Sequence, residues 1–436
     1  MTKRLPFLAL LCLPFTLVAQ TPTTPISDPW SFHTQLTYQL QGHGSFAAPY
    51  EGENSLQDRK EVRGSYTTTL FLGHRLWEGA EMYGNAEFFA GAGVSRVLGL
   101  AGPPNGETYR VDSTELKVGM ARLFLRQTWN LGEATEVVED GPNQLATRQS
   151  PRRVVLTVGK ISGTDIFDAN TYSHDARTQF NNWSLWANAA WDYPADTRGY
   201  TWGVALEWIH DDWALRFGSL MEPKAANQLE LDHDIRHAHG EVIELEHDHE
   251  LGGRKGALRL LAFENHARMG NYQDALALDP TAPDVTATRV PGRTKHGFGL
   301  NAEQAITPEV GVFLRAGWND GKTESWAFTE VERTFSVGLS SSGKAWGRGM
   351  DRLGVGLAFN GINQDHRDYL AAGGYGFMVG DGRLNYAAEQ VLDTYYAIAL
   401  GSYGSFSLEA QRFQNPAFNQ DRGPVTVYGV RLHLQF

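Results

Sequence analysis

Apolar and polar residues alternate with a period of two along much of this chain. Tyr200, Trp202, Val204, Leu206 and Trp208 fall on one side, with Thr201, Gly203, Ala205 and Glu207 on the other. Successive side chains of a strand point to opposite faces, so this stretch reads as a β-strand with one apolar face. His210, Asp211 and Asp212 then turn the chain into Trp213, Leu215 and Phe217, opposed by Ala214, Arg216 and Gly218. The pattern recurs: Phe298, Leu300, Ala302, Gln304 and Ile306 oppose Gly297, Gly299, Asn301 and Glu303. After Thr307-Pro308 it resumes as Val310, Val312, Leu314, Ala316 and Trp318 against Glu309, Gly311, Arg315 and Asn319. Strand, tight turn, strand is the signature of a hairpin. In residues 425–436, Thr426, Tyr428, Val430, Leu432, Leu434 and Phe436 share one face. Gly429, Arg431, His433 and Gln435 share the other, which Val425 and Val427 open.

Extended over the chain, the pattern predicts sixteen strands, near 32–41, 64–77, 80–91, 118–131, 152–160, 199–209, 213–221, 241–250, 256–264, 296–306, 309–319, 326–339, 350–360, 389–400, 404–413 and 425–436. Short connections at 78–79, 210–212, 251–255, 307–308 and 401–403 alternate with long ones at 42–63, 92–117, 161–198, 222–240, 265–295, 361–388 and 414–424. That rhythm predicts an all-β fold: a transmembrane antiparallel up-and-down β-barrel of about 16 strands, with short periplasmic turns and long extracellular loops. Three connections fit poorly, since 132–151 and 340–349 are long for turns and 320–325 is short for a loop. Boundaries moved by a few residues would give fourteen or eighteen strands. Closure follows from backbone chemistry, because lipid offers no hydrogen bonds to an open sheet edge. A secreted β-sandwich or propeller is the alternative, disfavoured by outward faces too uniformly apolar for water. The last strand, with its aromatic end at Phe436, looks like the closing strand that outer-membrane barrel-assembly machinery reads.

The amino-terminal region adds a destination. Lys3 and Arg4 precede an apolar run over residues 5–18, with the small Ala19 before Gln20. This reads as a secretory signal peptide over 1–19, too short for a membrane helix. A short periplasmic segment over 20–31 and a barrel domain over 32–436 would follow. The only cysteine, Cys12, lies in the signal, so the exported chain has no thiol. The formal net charge of −12 argues against nucleic acid as a partner. A mean hydropathy of −0.36 does not exclude the membrane, because alternate residues of a barrel strand face a wet lumen. No zinc-protease, nucleophile-elbow, phosphate-loop or complete dinucleotide motif is present, so neither catalysis nor a cofactor is expected.

Several longer segments carry a family resemblance. They are Phe46-Ala-Ala-Pro-Tyr50 with the following Glu-Gly-Glu-Asn-Ser-Leu56, Ser173-His-Asp-Ala-Arg-Thr-Gln-Phe180, and Trp191-Asp-Tyr-Pro-Ala-Asp196 with Arg198-Gly-Tyr-Thr-Trp-Gly203. Asp365-His-Arg-Asp-Tyr-Leu370 with Gly380-Asp-Gly-Arg-Leu-Asn-Tyr386, and Asn415-Pro-Ala-Phe-Asn-Gln-Asp-Arg-Gly-Pro424, complete the set. Together they resemble the carbohydrate-selective porin (OprB-type) family of the Gram-negative outer membrane, from about Phe32 to Phe436. Most lie in loops, where packing alone would not dictate them. The resemblance implies a sixteen-stranded channel through which sugars diffuse passively, without naming the sugar. A non-selective porin, a polysaccharide exporter and, more remotely, a barrel enzyme are the alternatives.

A sugar pore needs hydrogen-bonding partners for hydroxyls and flat apolar faces for pyranose C–H groups. The phase of the alternation puts Arg75, Glu87, Arg122, Arg126, Glu207, Arg216, Glu303, Arg315, Glu409 and Arg431 in the lumen. Both signs occur, which suits a neutral polar solute. Residues 161–198 form the connection after the fifth strand, which constricts general porins, and contain Arg177, Asn182, Trp183 and Trp186 among further polar groups. An outer loop packed around its own tryptophans is the competing reading. The expected substrate-binding set is therefore Arg75, Glu87, Arg122, Arg126, Arg177, Asn182, Trp183, Trp186, Glu207, Arg216 and Arg315. His237/His239 and His247/His249 have a spacing that puts two ligands on one strand face. A polar loop entering a lumen-lining strand explains them equally well, and no metal site is expected. The remaining expected partners are neutral sugars, outer-membrane lipid with lipopolysaccharide, and the assembly machinery at 425–436. The oligomeric state, monomer or trimer, stays open.

Overall fold

The computed structural model describes residues 28–107 and 113–436; the expected signal peptide lies outside the described residues. The strands are β1 (Trp30–His43), β2 (Glu61–Trp77), β3 (Ala80–Gly91), β4 (Ser113–Asn130), β5 (Glu136–Val138), β6 (Thr147–Gln149), β7 (Arg152–Ile161), β8 (Thr201–His210) and β9 (Trp213–Met221). They continue as β10 (His239–Leu251), β11 (Arg254–Ala267), β12 (Arg293–Ala305), β13 (Val310–Asn319), β14 (Arg333–Gly343), β15 (Arg348–Gly361), β16 (Glu389–Ala399), β17 (Gly404–Gln414) and β18 (Val425–Gln435). All but β5 and β6 join one closed barrel of sixteen strands, paired antiparallel in chain order. β1 seals it against β18 in a register running from Gln35↔Gln435 to His43↔Val427. Each barrel strand thus has a hydrogen-bonded neighbour on both sides, which is what hydrocarbon demands.

Burial is inverted relative to a water-soluble sheet. On β1, Gln35, Thr37, Gln39 and Gln41 are buried while Tyr38 and Leu40 are exposed. On β18, Arg431 and His433 are buried while Tyr428 is 64% exposed. Leu206, Leu215, Phe217, Ile243, Leu260, Phe335 and Leu408 continue the exposed apolar belt around the outside. An apolar exterior over a polar interior is the pattern of a transmembrane barrel. Among the described residues no helix is long and apolar enough to cross a membrane.

Short connections gather at the end that holds both described termini. One of the three two-residue turns, between β10 and β11, uses Gly252 and Gly253 at φ of 59° and 74°, the positive values a type I′ hairpin turn needs. Strand β14 begins later than the expected 326–339, because Trp326, Phe328 and Val331 are buried among loops rather than facing lipid. The correction lengthens the loop to 320–332 and shortens the following turn to 344–347, removing two of the three misfits. The third remains: 131–151 is long and carries the separate β5–β6 hairpin. The principal apolar cluster lies inside the barrel mouth, where Phe167, Trp183, Trp191, Tyr193, Phe328 and Tyr369 from different loops pack together.

Candidate functional site

The connection between β7 and β8, residues 162–200, folds into the lumen. Its apolar residues would be costly in an extracellular loop, and here Phe180, Trp183, Leu185, Trp186, Trp191 and Tyr193 are all buried. A single helical turn, α1 (Trp183–Trp186), starts where the Asn182 side chain accepts a hydrogen bond from the Ser184 amide (3.0 Å). Inward side chains of many strands hold the segment. Arg315 of β13 pairs with Asp168 (3.0 Å) and donates to the Leu185 carbonyl (2.7 Å). Glu303 of β12 accepts from Thr171 (2.6 Å), and Glu409 of β17 from the Asn181 amide (3.2 Å). Arg431 of β18 donates to the carbonyls of Ala176 and Gln179 (2.7 Å each). Because β12 and β13 lie nearly half-way around the barrel from β3 and β4, which the segment also meets, it crosses the channel.

A second connection joins it. Residues 92–107, between β3 and β4, also bend inward: Gln41 and Gln411 donate to the Pro104 carbonyl, and Glu389 accepts from the Ala101 and Gly102 amides. Gly106 donates from its amide to the Asn181 carbonyl (2.8 Å). A Cβ at 106 would lie 2.1 Å from Trp186 Nε1, so the close approach of the two connections requires glycine there.

Between these connections and the β3–β4 wall lies a cavity of about 330 Å³, near the lower end of small-molecule sites. Three guanidinium groups and a set of carboxylates interlock around it. Arg122 forms a two-pronged pair with Asp165 (2.7 and 2.6 Å). Arg177 meets Glu107 at 2.8 Å and Glu87 at 3.4 Å, and Arg198 pairs with Glu87. The Tyr200 hydroxyl donates to Glu87 (3.2 Å). Burial works to raise Asp165, but the Arg122 charge and hydrogen bonds outweigh it and hold its carboxyl below the usual range. Glu107 moves the other way: burial and the neighbouring Glu87 raise it despite Arg177. His174 is lowered, first by burial and then by the Arg315 charge, which favours a neutral ring. His174 Nδ1 and Trp186 Nε1 are buried without a hydrogen-bond partner among the described residues, and both residues line the cavity. Trp183, Tyr193 and Phe328 form its apolar wall, with Trp183 stacked on Phe328 at 4.7 Å.

Of the eleven residues expected from the sequence, Glu87, Arg122, Arg177, Trp183 and Trp186 line this cavity. Asn182 is wholly buried beside it, capping α1 and donating to Gly102 and Gln411. Arg315 is wholly buried in its pair with Asp168 and is an anchor for the loop. Glu207 and Arg216 face each other on the β8–β9 wall, where Arg216 also meets Glu244 and Glu246. Arg75 and Arg126 lie nearer the periplasmic end and bind the 131–151 excursion, at the carbonyls of Ala146 (2.6 Å) and Asn143 (3.0 Å). That excursion reaches inward to Asn85 through Asn143 (2.8 Å) and to the Tyr83 hydroxyl through the Leu145 amide (3.0 Å). The sequence reading missed Glu107, Arg198, Tyr193, Tyr200 and Phe328. Arg198 and Tyr200 stood inside a segment quoted for its resemblance. Glu107 had only the stiff Gly102-Pro103-Pro104-Asn105-Gly106 run before it as a signal. The histidine pairs do not converge as spaced: His237 meets Asp234, His247 stacks on Trp213, and His249 meets Gln304.

Three of the segments that carried the resemblance, at 46–56, 380–386 and 415–424, clasp one another. Arg422 donates to the carbonyls of Tyr50 and Leu56, Asn419 donates to the Tyr50 hydroxyl (2.6 Å), and Arg383 stacks 3.7 Å from the Tyr50 ring. A family model described as carbohydrate-selective porin, OprB family, matches residues 61–436. The chain belongs to that family. This porin is accordingly an outer-membrane β-barrel of the Gram-negative type. Its fold is similar to that of Pseudomonas putida OprB at high pH, with a TM-score of 0.72, 15% identity and 94% of each chain covered. It is also similar to the outer-membrane channel DcaP of Acinetobacter baumannii, with a TM-score of 0.50, 8% identity, and 93% of this chain and 97% of that one covered. Porin AaxA of Chlamydia trachomatis serovar A is 27% identical over 138 residues, which is 32% of this chain. Porin AaxA of Chlamydia muridarum is 27% identical over 143 residues, again 32% of this chain. The porin spans about a quarter, 26%, of the length of these curated relatives.

Proposed function

We propose that this porin passes small neutral sugars by diffusion into the periplasm, and that the cavity beneath residues 162–200 is its constriction and sugar-binding eyelet. The interlocked Arg122–Asp165, Arg177–Glu107 and Arg198–Glu87 pairs carry the reading. Donors and acceptors alternate around the cavity with little net charge, so a polyol can exchange hydration for side-chain hydrogen bonds while an ion gains less. The partnerless His174 Nδ1 and Trp186 Nε1 offer two more sites for hydroxyls. Apolar edges from Trp183 and Phe328 suit pyranose C–H faces. Several weak contacts, rather than one tight one, let the solute leave again. Transport of this kind needs neither catalysis nor cofactor.

The same reading includes the assembly machinery as partner of strand 425–436, and lipid with lipopolysaccharide around the apolar belt. Swelling of liposomes carrying the refolded porin tests the selectivity. Neutral mono- and disaccharides should enter faster than charged solutes of the same size. Equal rates for both would leave a general porin, and a faster charged solute would remove the sugar reading.

A further inference from the structure

The outer end of the β10–β11 hairpin carries a side-chain cluster that has nothing to do with the lumen. His239 and His266 are direct cross-strand partners, and Glu241 faces Glu264 two residues further along. All four alternate with the buried Val242, Phe263 and Asn265, so they point out from the barrel. Ile243, the next outward residue on β10, is 47% exposed and belongs to the lipid-facing belt. The cluster therefore sits just above the hydrocarbon, at headgroup level. The two imidazole rings stack at 4.6 Å, His239 Nε2 lies 3.3 Å from Glu241, and His266 Nε2 lies 3.0 Å from Glu264. Among the described residues, no lysine or arginine pairs with either carboxylate. His239 Nδ1 is buried and has no hydrogen-bond partner.

We propose that His239, Glu241 and His266 bind one divalent transition-metal ion of the zinc class on the outer rim of the barrel. One ligand atom from each already lies within 4.8 Å of the others. Bonds of about 2.0–2.1 Å in a tetrahedral site put ligands roughly 3.4 Å apart, so side-chain rotation alone closes the set. Two imidazoles and a carboxylate select zinc, nickel or copper over magnesium or calcium, which prefer oxygen ligands alone. Glu264 orients the His266 ring, as the outer carboxylate commonly does in such sites. Three protein ligands leave a fourth position open toward the headgroups. Two hydrogen bonds between histidine and glutamate would be the simpler structure, but they leave the buried His239 Nδ1 unused. Metal bound through His239 Nδ1 uses that nitrogen and staples the strand ends from which 222–238 and 268–292 depart.

The test is calorimetric titration of the refolded, untagged porin with zinc chloride, with cobalt absorption as a second readout. The expected result is one zinc per barrel, unaffected by excess magnesium, and a cobalt spectrum of tetrahedral type. His239→Gln and His266→Gln should each abolish stoichiometric binding, and Glu264→Gln should weaken it about 10- to 100-fold. Heat-modifiable gel migration and channel conductance, which do not involve this face, confirm that the variants fold. No zinc uptake, equal competition by magnesium, or undiminished uptake by both histidine variants would overturn the proposal.

Discussion

Replacing Arg315 by leucine isolates the role of the anchored connection. Arg315 and Asp168 are 0% and 4% exposed at their side chains. The guanidinium meets both Asp168 carboxylate oxygens at 3.0 and 3.1 Å and the Asp168 carbonyl at 3.1 Å. Removing one partner of a buried pair leaves the other charge uncompensated and costs about 3–5 kcal/mol. The β13 ladder is made by backbone groups, so the penalty falls on docking of residues 162–200 rather than on the barrel. Each 1.4 kcal/mol is tenfold, so undocking should become roughly a hundred- to several-thousand-fold more frequent. Single-channel recording reads this directly, as excursions from a steady level to larger conductance. Asn301 and the Asn188 amide also bind Asp168. An asparagine in place of Asp168 would keep one of those two bonds through its single carbonyl oxygen, carry no charge, and tolerate the φ of 59° at this position. The double variant Arg315→Leu/Asp168→Asn leaves no unpaired buried charge and should therefore recover part of the quiet current. An Arg315→Leu channel as quiet as the parent, or a double variant noisier than the single, would refute the reasoning.

Four further outcomes are expected. Arg177→Ala removes a charge-assisted donor worth about 1.5–3 kcal/mol and should weaken sugar block about 10- to 150-fold, read from the concentration dependence of the current. Gly106→Ala puts a Cβ 2.1 Å from Trp186 Nε1, and overpacking of about 1–3 kcal/mol should free 92–107 to an external protease. Acidification from about pH 7.5 to about pH 5 should shift reversal potentials toward anions. Burial raises Glu107, so it takes up its proton before ordinary carboxylates do and one negative charge leaves the eyelet first. Replacing 133–149 with a short turn should raise conductance, since that segment binds the inward-facing Asn85 and Tyr83; unchanged conductance would place it outside the current path.

The barrel was legible because lipid enforces a strict period of two. Leu206 and Trp208, or Tyr428 and Val430, have no alternative but to alternate with lumen residues. The β14 boundary was not, because Trp326, Ala327 and Phe328 are apolar for a different reason: they pack against the inward connection, with Trp326 and Ala327 donating backbone hydrogen bonds to Asp192. Periodicity cannot tell a lipid-facing apolar residue from one buried inside the mouth. The site divided along the same line. Glu87 and Arg122 followed from strand phase, and Arg177, Trp183 and Trp186 from the composition of one connection. Arg315 and Asn182 had the right chemistry, but their partners Asp168 and Gln411 are long-range and no local pattern reveals them. Glu107 enters the site because two connections meet at Gly106, which is a property of the closed barrel. The cross-strand partner of His239 was equally hidden, since His266 is set by register and not by spacing along β10.

Single-channel current through the refolded porin, titrated with neutral mono- and disaccharides, tests the central claim most directly. The account predicts saturable block by sugar in the parent channel, and block weakened about 10- to 150-fold, with current retained, in Arg177→Ala. Steady current indifferent to every sugar would contradict it.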